Sequence, residues 1–381
     1  MNKRAAIGLF VAAGVLALPA ATQATTPPSS APDGSAPPGG PVDLADVCPE
    51  TIVIQTDWFP ESDHGAVYNL LGDDYEVDTG NKIVSGSLVS EGQPTGVDVE
   101  IRAGGAAGSG DVETLTYTDD SITFAFGTTD GQILAWENTP LRSVVATLDI
   151  SPLMIMWDPE TYPDVTSIAD LGEEGITVNT FGGATFADVF VAQGLLSAGQ
   201  VDPSYDGGPS RFIAEDGAIA QQGFASTEPF LYEEVYEDWL RPVDYQLIHE
   251  AGFQTYSQTL AIRPDDLETL RPCLEAFVPV VQRSAVEFAT DPARTNAAIV
   301  DIVEQYDTFW VYTPELAEYS VQTQIELGLT GNGDDDTLGN IDPQRVEGLL
   351  QQIRDAGLDV PDDLTAEQLY TNEFIDDTIG L

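Results

Sequence analysis

The chain has 381 residues, enough for two domains with sizeable cores, and 42% are hydrophobic, which excludes a wholly disordered protein. Its 64 acidic residues against 13 basic ones leave a net charge of −51, a field that repels nucleic acid and anionic lipid headgroups and argues against both as partners. A solvated, aggregation-resistant surface suited to saline surroundings is the plain reading of so much negative charge.

Residues 1–24 read as a secretory leader. Lys3 and Arg4 precede an apolar run over 5–18 that is short for a membrane span, and Thr22-Gln23-Ala24 places small residues before a cleavage point after Ala24. An uncleaved anchor is the alternative. No cysteine directly follows the run, so no lipid anchor is expected. The mature chain is expected outside the cytoplasm: secreted, periplasmic or at the cell surface. A linker is drawn at 25–48, its Pro, Ser, Gly and Ala densest through Val42. Cys48 and Cys273 are the two cysteines, and in an exported chain an even count favours a disulfide over two buried free thiols. Two cysteines alone cannot build a structural zinc site, and His64 and His249 show no ligand spacing, so no metal is expected.

Ile52, Val53 and Ile54 form a continuous β-branched run, which predicts a short strand buried on both faces. Phe59-Pro60 ends it, and Ser62 or Asp63 is positioned to cap a helix whose apolar face begins with Gly65, Ala66, Tyr68, Leu70 and Leu71. The loop between carries Asp57, Trp58, Glu61 and His64. A loop at the carboxyl end of a buried strand is where open α/β sheets bind ligands, so this one reads as a wall of a small-molecule pocket.

Residues 75–88 suggest a surface hairpin turning at Thr79-Gly80-Asn81-Lys82, and 97–101 alternate as a second strand. The glycine-rich loop 104–110 lacks the Gly-Lys-Thr/Ser of a nucleotide P-loop, and reads as a turn or a close backbone approach. Further strands are expected over 121–127, 142–150, 175–180 and 222–226. The strand at 175–180 runs into Phe181-Gly182-Gly183-Ala184-Thr185, where a helix starts; free N–H groups for a ligand and a simple tight turn both fit. Helical periodicity returns over 267–288, 296–306, 314–327 and 343–355. Strands alternating with helices argue for an α/β protein with parallel sheets. Residues 331–336 are acidic and glycine-rich but lack the alternating calcium-ligand pattern and the closing glutamate. Neither Gly-x-Ser-x-Gly nor His-Glu-x-x-His occurs, so no hydrolase signature is present.

Several of these pieces, in order over roughly residues 50–375, resemble the substrate-binding proteins of ABC importers in the thiamine-pyrimidine-precursor, riboflavin, sulfonate and nitrate group. Asp57-Trp58-Phe59-Pro60-Glu61-Ser62-Asp63-His64-Gly65-Ala66-Val67-Tyr68 resembles that group's D-W-x-P-N-x-x-H-x-G-x-Y. Gly96-Val97-Asp98-Val99-Glu100-Ile101 resembles its G-L-D-V-E-I strand. Ser167-Ile168-Ala169-Asp170-Leu171 resembles its entry into the second domain, and Glu228-Pro229 its E-P. Glu61 in place of the usual asparagine, and Gly172-Glu173-Glu174 without lysines, depart from the pattern.

The resemblance implies a periplasmic-binding-protein type II fold: two α/β lobes, each a mostly parallel sheet flanked by helices, joined by two crossing strands that act as a hinge. Lobe one would be 49–147 plus 247–381 and lobe two 148–246, so a Cys48–Cys273 bond would sit within one lobe and leave closure free. The ligand-binding residues implied are Asp57, Trp58, Glu61 and His64, then Tyr117 and Asp120 before the third strand. Trp157, Phe181, Gly182, Gly183, Thr185 and Glu228 would come from lobe two. Each has a plainer alternative: Trp58 in a core, His64 solvated, Asp120 a turn acid, Glu228 a surface acid.

A membrane permease would be the partner, with no cofactor, no catalysis and a monomeric chain. The pocket loops contain aromatics and carboxylates but no fixed cation, which suits a neutral or cationic planar solute such as a pyrimidine, a flavin-like ring or an amine. A sulfonate or nitrate site would want cations; the distant Arg102, Arg211 and Arg241 would have to fold in. A second reading is an enzyme on the same fold, resembling the branch that makes a pyrimidine from its own histidine and a lysine-bound pyridoxal phosphate. Lys82 is the only lysine after the leader and is expected in the hairpin, away from the pocket. A surface sensor subunit for the same ligand class is a third.

Overall fold

A computed structural model describes residues 42–105, 110–333 and 335–381. The leader, most of the linker, residues 106–109 of the glycine loop and Asp334 lie outside the described residues.

Six strands come first: β1 Thr51–Thr56, β2 Glu76–Asp78, β3 Ile83–Ser90, β4 Gln93–Arg102, β5 Phe124–Gly127 and β6 Arg142–Ala146. The next five are β7 Leu153–Trp157, β8 Val178–Asn179, β9 Val201–Asp202, β10 Ala220–Phe224 and β11 Asp244–Leu247, followed by β12 Thr259–Ile262. One sheet has the order β2-β3-β4-β1-β5-β12-β6 and the other β11-β7-β10-β8-β9. Each sheet with its helices forms a lobe.

The parallel pairs lie in the middle of the first sheet, where β1 runs parallel to β4 and β5, and at one end of the second, where β8 runs parallel to β10 and to the edge strand β9. The antiparallel pairs come from tight turns and from crossing strands. The hairpin expected over 75–88 forms, β2 against β3, but it joins the sheet because β3 also pairs with β4. β12 returns from the second sheet to lie antiparallel between β5 and β6. The chain therefore crosses twice, between Ala146 and Leu153 and between Leu247 and Thr259. The two crossings are bonded to each other: the Thr147 N–H donates to the Gln258 carbonyl at 2.8 Å, and the Ser257 hydroxyl donates to Ser151.

Ile52 and Ile54 are fully buried, as a strand covered on both faces must be, and pack with Phe124, Phe126 and the long helix Leu267–Thr290 through Leu274, Phe277 and Val281. Cys273 of that helix is bonded to Cys48 across 225 residues of sequence. The ordered chain reaches back into the stretch drawn as linker, since Leu44 is buried in this core and its N–H donates to the Thr95 carbonyl at 2.8 Å.

A second hydrophobic cluster joins the C-terminal segment to both sheets. Helix Pro343–Asp355 buries Val346, Leu349, Leu350 and Ile353 in one cluster with Phe186 and Phe190 of the second lobe and Ile133 of the first. The C-terminal segment thus packs against elements of both lobes. A helix missed in the sequence, Thr129–Ala135, starts at Thr128, whose hydroxyl caps it by accepting from the Gly131 N–H at 3.1 Å.

Candidate functional site

A cavity of about 490 Å³ opens where the carboxyl ends of β1, β5, β8 and β10 face one another. That volume falls within the range of small-molecule sites. Its first wall is the loop after β1. The Thr56 hydroxyl donates to the Trp58 carbonyl at 2.9 Å, and the Gly104 N–H reaches the same oxygen at 3.1 Å, so the loop's path is fixed from below. Trp58 meets Trp310 edge-on with ring centroids 5.9 Å apart, and Trp310 anchors itself by donating its indole N–H to the Pro60 carbonyl at 3.2 Å. Gly105 sits at φ +55° with its missing Cβ only 2.4 Å from the Trp58 ring, so any side chain there would push the indole aside.

Trp58 also reaches the opposite wall. Its ring lies 6.1 Å from Phe181, and a Cβ on Gly207, at φ +89°, would come within 3.2 Å of it. Phe181 follows β8, is held by its N–H donating to Gln222 Oε1 at 2.9 Å, and packs on Tyr205 with ring centroids 4.7 Å apart. Glu228 completes this wall. Its carboxylate accepts from the Phe224 N–H at 2.5 Å and from the Tyr205 hydroxyl at 3.4 Å, and the absence of a side chain at Gly223 leaves the room it occupies.

The electrostatics are one-sided. Asp57, Glu61 and Glu228 face the cavity with Asp206 at its rim, and among the described residues no lysine or arginine lines it. Burial raises Glu61 well above the ordinary carboxylate range, and nearby Asp63, Asp57 and Glu228 raise it further. Burial pushes Glu228 up to about 7, against the opposing pull of the Phe224 N–H. The three arginines that might have folded in are engaged elsewhere. Arg102 pairs with Glu100 and Asp119, Arg211 with Asp202, and Arg241 with Asp216 and Glu160.

Of the residues picked from the sequence, Asp57, Trp58, Glu61, Phe181 and Glu228 line the cavity together. His64 lies one layer behind, fully buried, its Nε2 against Asp57 Oδ1 at 3.0 Å and 3.8 Å from Glu61. Neither Ser62 nor Asp63 caps a helix by its side chain. Asp63 instead accepts from Ser226 Oγ at 2.6 Å and Gln324 Nε2 at 2.7 Å, tying the two walls together beneath the floor.

Tyr117 and Asp120 do not line this cavity, and strand direction gives the reason. β5 runs parallel to β1, so residues before it stand at the sheet edge opposite the one where Asp57 emerges. Tyr117 donates its hydroxyl to the Pro140 carbonyl at 2.8 Å, and Asp120 is exposed. Thr128, just after β5, is the residue from that strand that lines the cavity. Trp157 fails for the mirror-image reason. β7 is antiparallel to β10, with Phe224 opposite Leu153 and Gln221 opposite Met156. Leu153 therefore faces the cavity, while Trp157 is buried in the second lobe's core.

Gly182, Gly183 and Thr185 do not line the cavity. Gly183 borders a separate shallow hollow on the second lobe, Thr185 is buried in the first helical turn, and Tyr205 and Gly207 take the cavity side. The sequence reading also missed Gln222, Gln258 and Trp310. Buried polar residues in the Ala-Gln-Gln-Gly-Phe strand were a usable signal for Gln222; Gln258 and Trp310 are brought in by the second crossing and by a loop, neither legible as such.

Two α/β sheets flanked by helices, two crossings and a cleft between them define the periplasmic-binding-protein fold. No family model and no curated protein sequence matches the chain. Among solved structures it is similar to the periplasmic aliphatic sulphonate binding protein SsuA from Escherichia coli, at 12% identity and a TM-score of 0.53, covering 84% of this chain and 92% of that one. The alkanesulfonate-binding protein SsuA from Xanthomonas axonopodis pv. citri, bound to MOPS, matches at 10% identity and a TM-score of 0.54, covering 85% and 98%. The ligand-binding component of an ABC-type import system from Staphylococcus aureus, with zinc bound, matches at 12% and 0.52, covering 85% and 97%. At these identities the likeness establishes the fold.

Proposed function

We propose that this chain is the extracytoplasmic solute-binding component of an ABC-type importer. It takes a small planar nitrogenous solute (a pyrimidine, a flavin-like ring or an amine) into the cleft and delivers it to a membrane permease. The observation that carries this reading is a cavity walled by Trp58, Phe181, Tyr205 and Trp310, holding three carboxylates and lined by no cation among the described residues. Flat rings grip a flat solute by stacking, and carboxylates accept from its N–H groups. The same walls would repel a sulfonate, so the fold's sulfonate-binding neighbours do not extend their ligand to this chain.

Closure would turn on the two crossings, with lobes at about 49–147 plus 247–381 and 148–246, and helix Pro343–Asp355 bracing both. A leader cleaved after Ala24 fits the placement outside the cytoplasm, and among the described residues no helix is long and apolar enough to cross a membrane. The enzyme alternative loses support from Lys82. Its Nζ donates to the Thr79 and Tyr306 carbonyls, each at 2.7 Å, and lies outside the cavity. Mass spectrometry of the solute that co-purifies with the natively exported protein tests the reading. One nitrogenous heterocycle or amine per chain, reversibly bound and unaltered, is expected; stabilisation by an alkanesulfonate and not by any pyrimidine, flavin or amine would overturn it.

A further inference from the structure

The cavity's chemistry goes further than a preference for N–H groups. Buried carboxylates are held at a cost unless an opposite charge or donors compensate them. The Glu61 carboxylate is buried, and among the described residues its nearest basic contact is His64 Nε2 at 3.8 Å, a nitrogen already turned to Asp57 at 3.0 Å. Glu228 has a backbone N–H and a tyrosine hydroxyl but, among the described residues, no cation. Two more buried cavity atoms, Gln258 Oε1 and Thr227 Oγ1, have no partner among the described residues. Around these acceptors stand the faces and edges of four aromatic rings, which attract positive charge through their quadrupoles.

We propose that the cleft selects an organic cation: a protonated amine or amidine on a flat apolar body, its N–H groups shared between Glu61 on one wall and Glu228 on the other. This rests on the solute-binding reading above and narrows its ligand class. A cation seated there compensates both carboxylates at once, while a neutral isostere leaves them without an opposite charge.

A second consequence follows for protons. The groups facing Glu61 are Asp57, Asp63, His64, Tyr68, Tyr312 and Glu228; those facing Glu228 are Glu61, Asp63, Tyr205, Tyr232, Tyr236 and Tyr319. Among all of these the single base is His64, and the rest are acids or phenols. Before binding, burial holds both carboxyls above the ordinary carboxylate range, Glu228 at about 7. An entering cation reverses this, so binding expels protons, and affinity rises as the pH is raised from 5 to 8.

The test uses the full exported chain and triplets of matched probes, benzamidine, benzamide and benzenesulfonate among them, with amine and aminopyrimidine sets built the same way. Calorimetry in buffers of different ionisation enthalpy reads affinity and proton release together. The cationic member of at least one set is expected to bind about tenfold or more tighter than its neutral partner, with protons released. The E61Q and E228Q variants should lose that preference. Equal binding of neutral and cationic members, or cation binding without proton release, would overturn the inference and leave the solute-binding reading standing. Binding of the sulfonates alone, or of no probe at all, would bring down both. Should the variants fail to fold, the wild-type triplets still decide the matter.

Discussion

The two walls of the cleft are built in opposite ways. The first descends from one buried strand, and Asp57, Trp58 and Glu61 fall within five consecutive residues after it. That strand's leading segment is pinned by the Cys48–Cys273 bond to the helix behind it. The second wall is gathered from separate loops: Phe181, Tyr205 to Gly207, Gln222 to Phe224, and Thr227 with Glu228. No disulfide ties it. The first wall is therefore a pinned platform, and the second is held by single side chains accepting from backbone, Gln222 from the Phe181 N–H and Glu228 from the Phe224 N–H.

Breaking the platform gives the largest expected effect. The C48S/C273S variant should lose roughly 3–5 kcal/mol of stability on the chain-entropy account of a long loop. Denaturant unfolding with and without the bond measures this. The walls themselves should survive it, so affinity for the co-purified solute should stay within about twofold. A large loss of affinity would mean that the platform is not independent of the bond.

Each wall also hides a carboxyl pushed up to about 7, Glu113 behind the first and Glu228 on the second. Burial is the main cause for both. A folded-state value above the unfolded one means that the native chain binds more protons between the two, so stability falls as pH rises from roughly 4.5 to 7. For Glu113 the drop is on the order of 3 kcal/mol, since burial pushes its carboxyl up to about 7. Glu113→Gln should flatten the stability profile over that window with or without solute. Glu228→Gln should flatten it only in the empty protein, where the carboxyl has no ligand to answer. Identical profiles for the two variants would erase the distinction between the walls.

Removing the ring that spans the cleft comes next. Trp58→Ala deletes contacts to Trp310 on its own side and to Phe181 and Gly207 on the other. A loss of about 2–3 kcal/mol in solute binding is expected for an aromatic anchor of this kind, with Trp58→Phe recovering part of it. Titration calorimetry reads the difference. A change below about twofold in affinity would demote Trp58 to a core residue.

The same asymmetry explains what could be read from the sequence. The first wall was legible because a β-branched run, a Pro break and four chemistry-bearing residues stand together at 52–64. The long amphipathic helices were legible from their periodicity, and helix Pro343–Asp355 begins where that pattern places it. The second wall was half legible. Phe181 and Glu228 leave strand ends, but Tyr205 and Gly207 sit in a loop with no periodic signal, and Gln258 arrives by a crossing. Tyr117, Asp120 and Trp157 were misplaced because residue type was read without strand direction: each stands near a correct strand but at its wrong end. Direction is set by which strands pair, and pairing between β7 and β10 is a contact across more than 60 residues that local pattern does not encode.

Two glycines give the smallest effect and the sharpest contrast. Gly105 supports the first wall, and Gly105→Ala would set a Cβ 2.4 Å from the Trp58 ring and 2.5 Å from the Asp57 carbonyl. Backbone and a wedged indole cannot both yield, and φ at +55° adds strain of its own, so this change should lower stability as well as binding. Gly223 supports the second wall and has no such φ. Gly223→Ala would meet the Glu228 side chain first, at 2.9 Å from its Cγ and 3.1 Å from Oε2. That side chain can rotate away, at the expense of its bond from the Phe224 N–H, so folding should change by less than about 1 kcal/mol while affinity falls about tenfold. Thermal unfolding paired with solute titration separates the two cases. If Gly223→Ala destabilises the fold as much as Gly105→Ala does, the second wall is as rigid as the first, and their difference lies only in sequence order.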